Sequence, residues 1–226
     1  MQIISPIQEK ILKIFARALD SEQFYLTGWT ALAYFYLRHR QSNDLDFFTP
    51  VPELVAPFSR NLEKVLIEEK MTIERRRAAR SFIELGVKSG GEFTLLQLAQ
   101  DSPFRFEPPR EFPEFSGLKV DSLRDIASNK LLALFGRAML RDFIDVYMLA
   151  RKAQFVPEML MKEAAQKDAG FDLYWLAVAF ERIHTFQQNS PEMLMLCEPV
   201  AFGQLVEFFD QWRKKIAQEL KSPKKI

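Results

Sequence analysis

Strand-like and helix-like patterns do not mix along the whole of this chain. Every strand-like run lies before residue 121, and from Asp121 onward the pattern is helical only. Residues 24–27, 45–49, 72–78, 82–88 and 93–99 read as short strands, with Ser89-Gly90-Gly91 as a turn between the last two. Residues 6–20 read as an amphipathic helix: Ile7, Ile11, Ile14, Phe15 and Ala18 recur at helical spacing, Ser5 caps it, and Pro6 takes the first position. Residues 29–38 read as a helix apolar nearly all round, hence buried, and 53–70 as another helix. Pro108, Pro109 and Pro113 make 104–115 a loop or an edge. Helices are expected over 121–137, 140–153, 157–169, 172–187 and 199–221, and the lysine-rich end, 221–226, reads as a solvated terminus. This order predicts an α+β fold with an appended helical part. The boundary falls near 116–120, so the domains are expected over 1–118 and 119–226.

Composition narrows the chemistry. The chain has 226 residues, 48% hydrophobic and 27% charged, as folded domains usually have. Its 21 Phe imply an aromatic-rich core or a face that meets a partner. A single cysteine, Cys197, excludes an intrachain disulfide and fits a reducing compartment. Two histidines, His39 and His184, exclude a multi-His zinc site and disfavour a hydrolytic triad. A net charge of +1 means that any nucleic-acid contact must come from local basic patches. No apolar run approaches the ~18 residues that cross a membrane, and the start lacks the pattern of a signal peptide. A cytoplasmic protein without membrane contact is the expectation.

The richest stretch runs from Leu26 to Phe48. A short apolar run ends at Gly28, a helix-like segment follows, and a strand-like run then carries Asp44 and Asp46. Side chains two apart on a strand share a face, so these carboxylates point the same way and repel. Mg²⁺ offsets such repulsion, because it takes one or two carboxylates together with phosphate oxygens. Phe47 and Phe48 bury the strand, and buried acids need a partner. Two solvated acids flanking a strand are the plainer alternative. Gly28 allows close approach of a phosphate at the helix start, and the Thr30 hydroxyl could donate to it or satisfy backbone. Arg40 and Ser42 either belong to a polar loop, stabilise the acids, or bind phosphate. A metal beside a phosphate is the layout of nucleotidyl transfer.

Two further groups stand out. Lys130, Arg137 and Arg141 can share one face if their helix is continuous, and Arg141 can pair with Asp145. Apolar neighbours leave Asp142 and Asp145 half buried. Residues 74–80 form the one dense basic run; on a strand Arg75 and Arg77 share a face with Arg76 opposite. That run is either a charged edge that blocks aggregation or a contact for an RNA backbone or an acidic partner.

Three blocks in order resemble a known family: Gly28-x-Thr30-Ala31-Leu32 with Arg40-x-Ser42-x-Asp44-Leu45-Asp46, then Asp121-Ser122-Leu123 leading to Asn129-Lys130-Leu131, then Arg141-Asp142-x-x-Asp145-Val146-Tyr147. They look like the AbiEii/AbiGii toxin family of the DNA polymerase β-like nucleotidyltransferase superfamily. The resemblance implies a mixed β-sheet of the nucleotidyltransferase type with flanking helices, followed by a C-terminal helical bundle. It implies Asp44 and Asp46 as metal ligands and, with Lys130, as the catalytic group. Gly28, Thr30, Arg40, Ser42, Lys130, Arg137, Arg141, Asp142 and Asp145 would then serve the nucleotide. The implied activity is Mg²⁺-dependent transfer of a nucleotide from an NTP to an acceptor hydroxyl, on tRNA or another RNA, by a toxin with a cognate antitoxin. The superfamily has a third acid on a later strand, where this chain places Gln97. Asp101 or Glu92 would replace it, two acids would suffice, or the protein would bind nucleotide or a partner without turnover.

Overall fold

The computed structural model describes residues 2–221. The chain divides into two compact units, Met1–Ile126 and Ala127–Ile226. The solvated terminus expected over 221–226 lies, but for Lys221, outside the described residues.

The first unit begins with α1 (Pro6–Phe15), whose Ser5 cap and Gln8 bond each other's backbone in a capping box. It ends earlier than the periodicity predicts, and Asp20 takes a left-handed conformation before β1 (Tyr25–Thr27). Helix α2 (Gly28–Thr30) widens at once into a π-helical segment, Ala31–Leu37, then β2 (Asp44–Thr49) and α3 (Val55–Glu68) follow. Strands β3 (Thr72–Ala79), β4 (Phe82–Ser89) and β5 (Glu92–Gln100) come next, and after them the short β6 (Arg110–Glu111) and β7 (Lys119–Val120). Strand β6 lies in the stretch read as loop or edge and β7 at the boundary expected near 116–120; two residues are too few to show periodicity. Among the described residues the seven strands form one mixed sheet in the order β3-β4-β5-β2-β1-β7-β6. The pairs β2–β5 and β1–β7 are parallel.

Burial alternates along β2, with Leu45, Phe47 and Thr49 inward and Asp44, Asp46 and Phe48 half-buried on the other face. The inward face meets an aromatic cluster. The Phe47 ring stacks on Phe15 of α1 with centroids 3.6 Å apart, and Phe15 also touches Phe24 and Phe58. Much of the unusual phenylalanine count is therefore core. One face of the sheet is held by this cluster, and the other is left to carry the acids.

The β3–β4 register shifts between Arg75 and Arg77, a β-bulge. Arg75 stands opposite Leu85 and Arg77 opposite Glu84, so the two arginines point to opposite faces, not to one face as strict alternation predicts. Arg75 goes to the core side and pairs with Glu63 of α3.

The second unit is helical. Helix α4 (Leu123–Arg137) contains the division between the units, and α5 (Leu140–Lys152), α6 (Pro157–Lys167), α7 (Leu173–Glu181), α8 (Pro191–Leu194) and α9 (Phe202–Lys221) follow. Its core is again aromatic: Phe209 of α9 meets Phe143 at 4.8 Å and Phe180 at 5.1 Å. Among the described residues no helix is long and apolar enough to cross a membrane.

Truncating the central ring tests the first core. Phe47→Ala is expected to destabilise the protein by about 3–5 kcal/mol, since it removes a fully buried ring and its stacked partner contact. Urea unfolding followed by circular dichroism measures it, and a loss below ~1 kcal/mol would show that the cluster does not anchor the sheet.

Candidate active site

β1 runs directly into α2 through Gly28, whose φ is +69°. A side chain there would be strained, and it would also collide. A Cβ at Gly28 would stand 2.2 Å from Asp46 Oδ2, so the carboxylate rests against bare backbone. The pairing of Thr27 with Asp46 across β1 and β2 brings the two together.

Thr30 and Ser42 are buried. Thr30 donates its hydroxyl to the Asp44 carbonyl, and Ser42 Oγ lies 2.7 Å from Thr30 Oγ1. A hydroxyl has one proton, so Ser42 is the donor in that second contact. The pair pins the backbone of Asp44 to α2. Arg40 is also buried; its guanidinium lies 4.2 Å from the Trp29 ring centroid and donates to the Gln41 carbonyl at 3.1 Å. Trp29, bulky where a small residue would be more comfortable for a phosphate, thus carries a cation one residue from Gly28.

Gln97 stands beside Asp46 in parallel register, and Glu84 beside Gln97 in antiparallel register. The row Thr27–Asp46–Gln97–Glu84–Arg77 therefore crosses five strands on one face. Gln97 Nε2 donates to Glu84 Oε2 at 3.0 Å. Its amide N–H end is engaged there, which leaves the carbonyl oxygen as its acceptor end. Arg77 Nε lies 3.8 Å from the other Glu84 oxygen. The two acids considered as replacements stand elsewhere. Glu92 accepts the Ile7 N–H at 2.8 Å at the start of α1, and Asp101 accepts the Tyr25 hydroxyl at 2.7 Å and pairs with Arg105 at 3.3 Å. Glu84 is the acid that reading the sequence missed. A signal for it was present. Gly90 and Gly91 both have positive φ, and a two-residue turn there pairs Ser89 with Glu92. Counting back along both strands places Glu84 opposite Gln97.

Asp121 is a fully buried centre of the same unit. It accepts Thr27 Oγ1 at 2.7 Å and pairs with Arg105, while its carbonyl accepts the Tyr36 hydroxyl at 2.7 Å. The Arg105 guanidinium lies 3.6 Å from the Tyr25 ring centroid. Burial pushes the Tyr25 phenol far above its ordinary range and that of Tyr36 up to about 12. Both stay protonated donors at neutral pH and brace the strand that leads into Gly28.

The other sequence-predicted residues group within the second unit. Lys130 Nζ lies 2.8 Å from Asp145 Oδ2, with side chains 5% and 0% exposed. Arg137 grips Asp142 with two bonds, at 2.9 and 2.8 Å, and Asp142 also accepts the Met139 N–H at 3.2 Å. Both acids are fully buried, not half buried, and each meets a cation: Asp145 the buried Lys130, and Asp142 the partly exposed Arg137. Lys130, Arg137 and Arg141 do not share one continuous helix: Ala138, at φ +45°, separates α4 from α5, and Arg141 belongs to α5.

Comparison with known proteins decides the family. The model of the nucleotidyl transferase AbiEii toxin, of type IV toxin–antitoxin systems, matches residues 10–222. The chain belongs to the AbiEii family. Among curated proteins, this AbiEii chain is 28% identical over 228 residues to the uncharacterized protein aq_aa25 of Aquifex aeolicus (strain VF5), covering 95% of this chain and 96% of that one. Among solved structures it is similar to MenT4, a nucleotidyltransferase toxin of Mycobacterium tuberculosis, at 18% identity and a TM-score of 0.58, covering 96% of this chain and 83% of that chain. It is also similar to JHP933 of Helicobacter pylori, again at 18% identity, with a TM-score of 0.55 and coverage of 95% and 90%. At such identity these likenesses concern the fold: the mixed sheet with a helical part is that of nucleotidyltransferase toxins.

Two substitutions separate local structure from chemistry. Gly28→Ala should cost about 1–2 kcal/mol for the left-handed backbone and push Asp46 aside, so Mn²⁺ affinity should fall sharply while the fold persists. Unchanged affinity by calorimetry would mean that Asp46 is not held by this turn for a metal. Lys130→Met leaves the buried Asp145 without this cation and should cost about 3–5 kcal/mol, most of it regained in the Lys130→Met/Asp145→Leu double variant. Unfolding curves of the three proteins give the answer; an unchanged midpoint for the single variant would show that the pair carries no stability.

Proposed function

We propose that this protein is a divalent-metal-dependent nucleotidyltransferase toxin that transfers a nucleotide from an NTP to an acceptor hydroxyl, on tRNA or another RNA. The observation that carries the reading is the apposition of Asp44 and Asp46 on one strand face, with the Asp46 carboxylate against Gly28. Two half-buried carboxylates on one strand face, one of them against a glycine turn, are a hard, oxygen-only donor set, which fits Mg²⁺. Asp44 and Asp46 would hold that ion, which when bound offsets the charge of the phosphates and of the attacking oxygen. In-line attack of the acceptor hydroxyl on the α-phosphorus forms a new phosphodiester and expels pyrophosphate.

The chain's own residues account for the rest. Gly28 lets the phosphates approach backbone at the start of α2. Thr30 and Ser42 act by fixing Asp44, so their hydroxyls orient a ligand rather than touch phosphate. Arg40, carried on Trp29, supplies positive charge beside the turn. Lys130, Arg137 and Arg141 are the basic group assigned to the nucleotide, with Asp145 and Asp142 orienting the first two. Gln97 offers an amide oxygen where a third carboxylate would stand, oriented by Glu84. A cytoplasmic toxin with a cognate antitoxin completes the reading.

A neutral amide cannot take the proton of the attacking hydroxyl. Gln97 therefore favours one alternative, a weakened homologue that binds nucleotide or a partner protein without turnover. Incubating the protein with each of four α-labelled NTPs, Mg²⁺ and total RNA separates the two. Labelled RNA is expected from the wild type, with loss of at least a hundredfold in Asp46→Asn, whose Mn²⁺ binding should also vanish while its melting temperature holds or rises. Nucleotide binding without labelled product would favour the alternative, and an Asp46→Asn variant that transfers label normally would refute the site.

A further inference from the structure

The basic run on β3 lies at the edge of the sheet, and its bulge has a consequence for the acid-bearing face. Arg77 falls in the same row as Asp46, Gln97 and Glu84. Arg76, the extra residue of the bulge, lays its guanidinium 5.2 Å from the Phe93 ring centroid. Lys88 Nζ approaches the same centroid to 5.9 Å. Phe93 is 43% exposed. Under this cluster sits Gly86, where a Cβ would meet Phe93 Cε2 at 3.0 Å and Arg76 Nε at 3.4 Å. The glycine lets the ring and the guanidinium settle on bare strand. Leu95 stands beside Asp44 and Gln97 beside Asp46, so Phe93, two residues before Leu95, shares their face. It lies about 13 Å along the strand from Gln97.

A partly exposed aromatic ring between two cations suits a planar, anionic ligand. Nucleobases stack on such rings irrespective of sequence, and the cations meet the flanking phosphates. An acidic peptide would use the cations and leave the ring without a planar partner. The bulge also sets Arg77 in the row of Asp46, three strands away at the edge of the sheet. The ion pair that Arg76 makes with Glu74 is exposed and long, 3.8 Å, and costs little to exchange for phosphate.

We propose that Phe93, Arg76 and Lys88 form a stacking platform for an unpaired nucleotide of a nucleic-acid acceptor, on the face that carries Asp44 and Asp46. This rests on the transferase reading, for which it names the place where the acceptor strand lies.

The test measures binding apart from chemistry. The full-length protein, without NTP or metal, is titrated into fluorescein-labelled 12-nucleotide single-stranded RNA, the same sequence as DNA, and a blunt RNA duplex, with anisotropy as readout. The single strands are expected to bind more tightly than the duplex. Phe93→Ala should weaken single-strand binding by roughly tenfold, and Phe93→Tyr should restore it. Arg76→Ala/Lys88→Ala should weaken it and flatten its salt dependence. Tighter binding of RNA than DNA would mean that the platform also reads the sugar; equal binding would mean that it reads base and phosphate alone. Wild-type-like affinity in Phe93→Ala, equal affinity for the duplex, or no binding of single strands by the wild type would each overturn the platform. Mn²⁺ binding, measured in parallel, should be unchanged in Phe93→Ala. If Asp46→Asn still transfers label, the transferase reading fails whatever the oligonucleotides do. If Asp46→Asn is inert while Phe93→Ala binds and labels RNA normally, only the platform fails.

Discussion

Two carboxylates share one face of β2, and the contacts around that strand fix where they stand. Asp46 rests against a glycine that has no side chain to exclude it. Asp44 is fixed through its own carbonyl by Thr30, and Thr30 by Ser42. These contacts hold the two residues in place. On the opposite face Phe47 stacks on Phe15, so the strand cannot rotate to release its acids to solvent. Packing on one side of β2 thus fixes where the acids stand on the other.

Acid–base pairs of the second unit follow a different rule. Lys130 with Asp145 and Arg137 with Asp142 are neutralised pairs, three of the four side chains almost fully buried. Such pairs contribute little net stability over an apolar core, yet breaking one is costly. A nucleotide that drew on Lys130 would have to compete with a carboxylate 2.8 Å away, so the same aspartate that orients the lysine also limits its charge.

Much was legible in the amino-acid order because it is local. The alternation on β2 reveals that Asp44 and Asp46 share a face, the capping pattern marks the start of α1, and the Gly90-Gly91 turn even encodes which residue faces Gln97. The ordered blocks point to the AbiEii family, whose model spans 10–222. Where local rules were applied without allowance for an interruption they failed. A single bulge reversed Arg75 against Arg77, and one left-handed residue, Ala138, broke the face expected for Lys130, Arg137 and Arg141.

The sequence by itself determined the element types, the carboxylate pair, the glycine before the helix and the family. Those follow from periodicity and from chemical groups a few residues apart. Tertiary structure alone decided that Asp46 lies on Gly28, that Thr30 serves Asp44, that β2 runs parallel to β5 and so sets Gln97 beside Asp46, and that Arg76 comes near Phe93. Each of these depends on which distant strand lies alongside. That choice is made by the burial of whole faces, such as the Phe15–Phe47 layer, and no short window of sequence contains it.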